Sequence, residues 1–283
     1  MTADDLPVIA AVDGSAHSWE ALDWAAGEAA RRGLPLLIVH VRSRARPTEE
    51  GKGLREAEEL LAQAVLRTSR IAPGLPASTS TPRDFPSAAL TSLSRDASMV
   101  VVGSRGLGGF RSLMIGSDSL ATASMARCPV VVVRTGRTDD ADAGPADVVA
   151  GVAADESSGA VLDFAFEAAV ARPGARLRLV HGWTMFSSML SGGPVFDSEA
   201  AAEAADRALA DLTRGRHERY PQVDVVPEPV RGSASRTLVT ASATAALTVV
   251  GRRKGGESLG LGLSPVAQTT VTHALGPVAV VPV

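Results

Sequence analysis

The stretch that decides the fold is Val8-Ile9-Ala10-Ala11-Val12-Asp13-Gly14-Ser15, an apolar run that ends in a short polar turn. An Ala-rich stretch of helical period follows it, with Ser15 or Ser18 as the candidate N-cap and Gly33 as the residue that ends the helix. The apolar run is therefore predicted to form a strand that leads directly into a helix. A strand followed by a helix is the first half of a β-α-β unit.

Short β-branched apolar runs keep alternating with longer helical stretches as far as residue 133. Apolar runs without polar interruptions indicate strands that are buried on both faces, and helical connections between them favour a parallel sheet. The predicted strands are 8–12, 36–41, 78–81, 99–102 and 130–133, and the predicted helices are 15–32, 49–70, 87–96 and 116–127. This order predicts a doubly wound α/β domain, a five-stranded parallel sheet with helices on both faces. Such domains bind ligands at the carboxyl ends of the strands, where the strand order reverses.

The chain contains a second copy of this unit. The paired segments are 11–15 with 151–155, 22–25 with 162–165, 37–40 with 178–181, 101–103 with 249–251, and 128–130 with 276–278. In both copies a proline before the last strand stands 26 positions after a glycine that follows the fourth strand, Pro129 after Gly103 and Pro277 after Gly251. A polar, acidic segment rich in Gly and Pro lies between the copies and has the composition of a linker. We therefore predict two tandem domains, 1–136 and 147–283, joined by a linker at 137–146.

The composition is that of an ordinary globular protein. Of the 283 residues, 45% are hydrophobic and 21% are charged, the net charge is −3, and Cys128 is the only cysteine. These values exclude wholesale disorder, a disulfide framework and a multi-cysteine metal site. The charge gives no reason to expect a nucleic-acid or membrane partner, and no apolar run approaches the length of a membrane span. Because the N-terminus does not resemble a signal peptide, the expected location is the cytoplasm.

A glycine pattern after the fourth strand points to a ligand. The segment 103–117 reads Gly-Ser-Arg-Gly-Leu-Gly-Gly-Phe-Arg-Ser-Leu-Met-Ile-Gly-Ser. Gly103 and Gly106 allow positive φ and close approach of the backbone to a ligand, and successive amides in such a turn can hold an anion. Gly116-Ser117 would begin the next helix, where free amides and the positive end of the dipole favour phosphate. The alternative is a flexible loop without a ligand. The segment is neither a Walker loop nor a dinucleotide fingerprint.

Four features carry a resemblance to a known family: the glycine pattern, the Asp13-Gly14-Ser15 turn, Val39-His40-Val41 and Cys128-Pro129-Val130. Together they resemble the universal stress protein family in its tandem two-domain form. The resemblance covers nearly the whole chain and implies ATP binding. Asp13 would accept a hydrogen bond from the adenine amine, with Val12 beside it and Val41 against the base. The residues implied around the ribose and phosphates are Gly103, Arg105 and Gly106, and those implied at the end of the phosphate tail are Gly116, Ser117, Asp118 and Ser119.

Several of these residues have an alternative structural interpretation. Asp13 could cap the first helix instead of contacting adenine. Arg105 is either a solvated loop charge or a phosphate partner. We interpret His40 as a packed core histidine, and Phe110 as a side chain that packs the loop down rather than one that stacks on a base.

Asp118 departs from the family pattern, which has Val after Gly-Ser. A carboxylate beside bound phosphates repels them unless a divalent cation bridges the two. Asp118 therefore contacts Mg²⁺, weakens phosphate binding, or points to solvent. The sequence predicts no other metal contact.

The second copy keeps Gly251 at the position of Gly103 but lacks four other residues of the predicted site. Ala153 stands where the first copy has Asp13, and Lys254 replaces the second loop glycine. Ser264 and Pro265 replace Gly-Ser at the start of the helix, and proline removes an amide donor. We therefore predict one ATP site per chain, in the N-terminal half.

Three classes of function follow from the sequence. The leading one is an ATP-binding regulatory protein of the stress response, acting through a conformational change or an unknown protein partner and without catalytic residues. A slow ATPase or adenylyl-transfer enzyme is the second, and it depends on fold analogy. A structural partner protein without nucleotide is the third. The uncharged last strands, 130–133 and 278–281, could pair with each other to form an internal pseudo-dimer, and a homodimer is also open.

Overall fold

The computed structural model describes residues 6–44, 50–106, 115–134, 147–153, 155–183, 198–252 and 262–283. The chain divides into two compact units, Met1–Thr135 and Gly136–Val283. The predicted linker, the packing role of Phe110 and the replacement at Lys254 all lie outside the described residues.

Unit 1 alternates strands and helices in the predicted order. Its strands are β1 (Val8–Ala11), β2 (Leu36–Val39), β3 (Arg42–Ser43), β4 (Ala77–Ser80), β5 (Arg83–Asp84), β6 (Met99–Gly103) and β7 (Val130–Val133). Its helices are α1 (Ala16–Arg32), α2 (Glu50–Ile71), α3 (Pro86–Leu93) and α4 (Ser117–Met125), with a 3₁₀ turn at Ser94–Asp96.

The main sheet of unit 1 is parallel and has the order β7-β6-β1-β2-β4. The strands β2 and β4 lie on one side of β1, and the later strands β6 and β7 lie on its other side. The carboxyl ends of β1 and β6 therefore define the point where the strand order reverses, which is where open α/β sheets bind ligands. Helix α1 packs against α2 and α3 against α4, so helices cover both faces of the sheet.

The central strands carry the core of unit 1. Every residue of β6 and β7 is buried, as expected for strands covered on both faces. The structure corrects the predicted strand 36–41, which ends at Val39. After His40 and Val41, residues Arg42–Ser43 leave the main sheet and pair in parallel with Arg83–Asp84. The sequence analysis did not predict this small second sheet.

Helix α1 begins and ends at residues that the sequence marks. Ser15 is the N-cap, because its hydroxyl accepts a hydrogen bond from the amide of Ser18 at 3.2 Å. Gly33 follows the last turn with φ 66°, the left-handed conformation in which glycine has no steric penalty.

Unit 2 repeats the topology of unit 1. Its strands are β8 (Val148–Gly151), β9 (Arg176–Trp183), β10 (Asp224–Arg231), β11 (Leu247–Arg252) and β12 (Val278–Pro282). Its helices are α5 (Gly159–Val170), α6 (Ser198–Arg219), α7 (Ala234–Ala241) and α8 (Pro265–His273), with a 3₁₀ turn at Glu156–Ser158. The strands are parallel in the order β12-β11-β8-β9-β10, the same arrangement as in unit 1.

The structure explains why an aspartate repeats in the first helix of each unit. Asp23 on α1 forms an ion pair with Arg67 on α2, with Arg67 Nε 2.5 Å from Asp23 Oδ1. Asp163 on α5 forms the corresponding pair with Arg216 on α6, with Nε 2.6 Å from Oδ1. Each pair fixes the first helix of its unit to the second.

None of the helices in the described part of the chain combines the length and the apolar character that crossing a membrane requires.

Candidate functional site in unit 1

A cavity of about 780 Å³ lies at the carboxyl ends of β1, β2 and β6 in unit 1. Its volume is in the range of small-molecule and cofactor sites. Every site residue that the sequence analysis named lines it: Val12, Asp13, Val41, Gly103, Arg105, Gly106, Gly116, Ser117, Asp118 and Ser119. These residues come from three parts of the chain, at 12–13, 41 and 103–119, and the parallel sheet brings them to one edge.

Asp13 belongs to the turn between β1 and α1. Its Oδ1 accepts a hydrogen bond from the amide of Ser15 at 3.0 Å, and its own amide donates to Ser18 Oγ at 3.3 Å. Gly14 has φ 88°, so this turn requires a glycine. Because Ser15 is the N-cap, the structure contradicts the alternative in which Asp13 caps the helix. Asp13 instead shapes the turn and is half-buried in the cavity wall.

Gly103 and Gly106 are needed because other atoms of the protein lie too close for a side chain, and not because the backbone has a positive φ. Neither Gly103 nor Gly106 is among the glycines with positive φ, which corrects the expectation for both. A Cβ on Gly103 would lie 2.7 Å from the backbone oxygen of His17, so Gly103 lets β6 pack against α1. A Cβ on Gly106 would lie 2.5 Å from Asp13 Oδ2, which places the loop directly beside the carboxylate.

Hydrogen bonds hold the two ends of the glycine loop in place. The amide of Gly116 donates to the carbonyl oxygen of Ser104 at 2.7 Å. The hydroxyl of Ser15 donates to the carbonyl oxygen of Arg105 at 3.4 Å. The hydroxyl of Ser119 is buried and donates to the carbonyl oxygen of Gly103 at 2.7 Å. The hydroxyl of Ser119 therefore holds the loop. Since its proton is used in this hydrogen bond, only the backbone amide of Ser119 can donate a hydrogen bond to a phosphate.

Helix α4 directs its amino end into the cavity. Gly116 is the N-cap with φ −72° and ψ 148°, and it has no side chain to accept hydrogen bonds from the amides of the first turn. Ser117 and Asp118 are exposed at the rim of the cavity. The positive end of the helix dipole and the first-turn amides favour an anion at this position. The Asp118 carboxylate is exposed in the same place, so all three interpretations of it remain predictions.

Two arginines add positive charge near the loop. Arg105 lines the cavity, and Arg134 follows the end of β7. Burial lowers the pKa of the Arg134 guanidinium, and the nearby charge of Arg105 lowers it further. Arginine remains protonated in proteins, so these like charges raise the positive potential of the region, and an anion would relieve their repulsion.

His40 connects the ends of two strands. Its Nδ1 lies 2.8 Å from the carbonyl oxygen of Val12, and the ring also lines the cavity. Unit 2 keeps the arrangement, with Nδ1 of His181 3.0 Å from the carbonyl oxygen of Val152. The interpretation of His40 as a packed histidine is therefore incomplete, since the ring also forms part of the cavity wall.

No sequence pattern predicted the outer wall of the cavity, which is the part formed by residues on α2 and on or near β5 and α3. The additional lining residues include Glu56 and Leu60 on α2, and Arg83, Phe85 and Leu90 on or near β5 and α3. No local motif marks these positions, because they reach the cavity only when α2 and α3 pack around the sheet.

In unit 2 the corresponding helix start is closed by protein groups. The hydroxyl of Ser264 accepts a hydrogen bond from the amide of Ala267 at 3.2 Å, and Pro265 occupies the first helical position. A side chain thus already caps α8, and one amide donor is missing. Ala153 has no carboxylate at the position of Asp13.

Within the described residues, no group of three or more His, Cys, Asp or Glu side chains is arranged to hold a metal ion.

The molecule is therefore a tandem pair of doubly wound α/β units, and the first unit has a cavity at the carboxyl ends of its strands. The sequence pattern described as "Universal stress protein family" matches residues 7–134 and 146–282. The chain therefore belongs to the universal stress protein family, with two such domains in tandem.

Similar proteins span nearly the whole chain. Universal stress protein Rv2005c of Mycobacterium tuberculosis is 32% identical over 286 residues, covering 96% of this chain and 96% of that protein. The crystal structure of a universal stress protein from Archaeoglobus fulgidus has a TM-score of 0.71 at 18% identity, covering 98% of this chain and 96% of that chain. A structure of the universal stress protein from the same organism in complex with dAMP covers 45% of this chain and 96% of that chain, with 26% identity and a TM-score of 0.37.

Proposed function

We propose that the protein is an ATP-binding regulator of the stress response that holds its nucleotide in the N-terminal half only. The observation that supports this most directly is the convergence of all the predicted site residues on one cavity at the reversal point of the unit 1 sheet. A nucleotide has a flat base and an anionic tail, and the cavity offers a carboxylate acceptor at one place and a helix amino end at another.

The residues have separate roles in this proposal. Asp13 accepts a hydrogen bond from the exocyclic amine of adenine, while Val12 and Val41 contact the base. Gly103, Arg105 and Gly106 line the ribose and the first phosphates. The first-turn amides of α4 and the Ser117 hydroxyl bind the end of the phosphate tail, because Gly116 leaves room for it and supplies no competing cap.

The restriction to one site follows from the comparison of the two helix starts. In unit 1 the amides of α4 face a cavity, and in unit 2 the Ser264 hydroxyl and Pro265 take over the same position. Phosphate binding in unit 2 would have to displace the Ser264 cap. A change of this kind costs about 1 kcal/mol in other proteins, in addition to the missing adenine acceptor.

We propose that binding is the function and that the output is a change in conformation or partner. A slow ATPase or adenylyl-transfer reaction is the alternative, and Asp118 is the residue that could position water for it. Phosphate release by the purified protein that disappears in Asp118→Ala would establish that alternative. Absence of any bound nucleotide would favour the structural partner protein.

Isothermal titration with ATP tests the proposed site through stoichiometry and through Asp13. Wild type should bind one ATP per chain, and Asp13→Asn should bind ATP about 10-fold more weakly, the loss expected for a hydrogen bond to a charged acceptor. In that variant the amide of Ser15 still requires the side-chain oxygen. The new NH₂ group therefore faces the base, and GTP, which has an acceptor at that edge, should gain relative to ATP.

Asp155→Asn is the matched control, because Asp155 Oδ1 accepts a hydrogen bond from the amide of Ser157 at 2.9 Å in the equivalent turn of unit 2. This variant should bind ATP like wild type. Two equal ATP sites per chain, or unchanged ATP affinity in Asp13→Asn, would contradict the proposal.

A further inference from the structure

An aromatic side chain lies exposed at the mouth of the cavity. Phe85 precedes α3, lines the cavity, and has 55% of its surface exposed. The other large apolar side chains that are exposed in the described residues do not line it. An apolar side chain that is exposed at the rim of a pocket is available to contact a bound molecule, and that contact would remove its apolar surface from water.

The backbone brings Phe85 close to the residues assigned to the base. Beyond β2 and β4 the chain segments that follow the two strands continue side by side. The amide of His40 donates to the carbonyl oxygen of Ser80 at 3.0 Å, and the amide of Arg42 donates to the carbonyl oxygen of Pro82 at 2.9 Å. Val41 therefore lies beside the backbone of Pro82. Phe85 is three residues further along, roughly 10 Å at the rise of an extended chain. The intervening surface belongs to the same cavity.

The two ends of the cavity differ in chemistry. Around Phe85 the wall has apolar side chains, Leu60 from α2, Leu90 from α3 and Val41 from the end of β2. It also has the charged residues Arg42, Glu56 and Arg83. The other end, at the carboxyl end of β6, has glycine backbone and the amino end of α4. In the sheet order β7-β6-β1-β2-β4 these ends lie on opposite sides of β1. The apolar side chains around Phe85 suit the face of a nucleobase, and the amino end of α4 suits phosphates.

We infer that Phe85 stacks on the nucleobase of the bound nucleotide and closes the outer side of the base pocket. This inference rests on the proposed function and adds a binding residue to it. Every nucleobase offers a π face, so stacking contributes affinity without selecting the base. Selection of adenine remains with the hydrogen bond to Asp13. Phe85 thus supplies affinity, and Asp13 supplies specificity.

The test is a titration of three Phe85 variants with ATP, GTP and AMP. Phe85→Ala should weaken all three nucleotides by the same factor, about 5- to 20-fold, because the base face is common to them. Phe85→Leu keeps apolar contact but not the ring and should fall between Ala and wild type. Phe85→Trp should bind at least as well as wild type, and its added indole fluorescence should be quenched when a purine stacks on it.

Ile71→Ala is the control, since Ile71 is also apolar and exposed, at 41%, and does not line the cavity. It should leave all three affinities unchanged. Wild-type affinity in Phe85→Ala, or a loss limited to ATP, would overturn the role of Phe85 and leave the proposed function standing. If the wild type binds none of the three nucleotides, the proposed function fails and the inference fails with it.

Discussion

Replacing Gly116 by valine is expected to abolish ATP binding, with a loss of at least about 100-fold in affinity and a loss of stability of no more than about 1 kcal/mol, because valine is a poorer N-cap than glycine. A Cβ at this position would meet only ordinary contacts in the protein, the nearest being the carbonyl oxygen of Ser104 at 3.6 Å. The backbone angles, φ −72° and ψ 148°, also suit valine. The Cβ would therefore fit the free protein. We expect the two methyl groups of valine to occupy the space in front of the α4 amides, where the phosphates are proposed to lie. Titration calorimetry and thermal unfolding measure the two effects separately.

Two further variants make this prediction specific. Gly116→Ala should give an intermediate loss of affinity, because one methyl group fills less of the phosphate space. Ser264→Val, at the equivalent position in unit 2, should leave ATP binding unchanged while costing about 1 kcal/mol of stability through the lost cap. If Gly116→Val binds ATP like wild type, the phosphate tail does not lie at the amino end of α4.

Replacing Gly103 by alanine is expected to have the largest effect on stability, about 3 kcal/mol of unfolding free energy. The new Cβ would lie 2.7 Å from the backbone oxygen and 2.8 Å from the backbone carbon of His17. Backbone atoms cannot rotate away as a side chain can, so β6 and α1 would have to separate in the centre of unit 1. Thermal unfolding followed by circular dichroism should show a midpoint lower by about 10 °C.

The equivalent glycine in unit 2 gives a matched comparison. A Cβ on Gly251 would lie 2.9 Å from Val161 Cγ2, a side-chain methyl group that can shift with less disturbance than backbone atoms can. Gly251→Ala should therefore cost only about 1 kcal/mol. Equal destabilisation by the two variants, or none by Gly103→Ala, would show that the packing of α1 against β6 is not the reason for glycine at position 103.

Much of the fold could be predicted because its signals are local. Buried parallel strands appear in the sequence as uninterrupted apolar runs, so the strand 130–133 was predicted with the bounds that the structure has. Glycine and serine mark the ends of α1 through their own backbone and hydroxyl chemistry. The repeat follows from the same local signals occurring twice.

The errors concern features that depend on residues distant in sequence. Arg42–Ser43 form a strand only because Arg83–Asp84 lie beside them, so the prediction extended β2 by two residues. The need for glycine at position 103 comes from His17 on another element, and the sequence suggested a conformational reason instead. Phe85 likewise has no motif, and its place at the cavity follows from how α3 begins.

Sequence patterns were enough to predict the order of strands and helices, the twofold repeat, the family and the residue types of the segment 103–117. These follow from hydrophobic periodicity, turn chemistry and spacing, which act between neighbours along the chain. The cavity lined by Asp13, the ends of the loop and the amino end of α4 is formed by tertiary packing, and no sequence pattern indicated that the Ser119 hydroxyl holds the loop. Contacts of this kind depend on which strands become neighbours in the sheet, and residues far apart in the chain carry no local record of that.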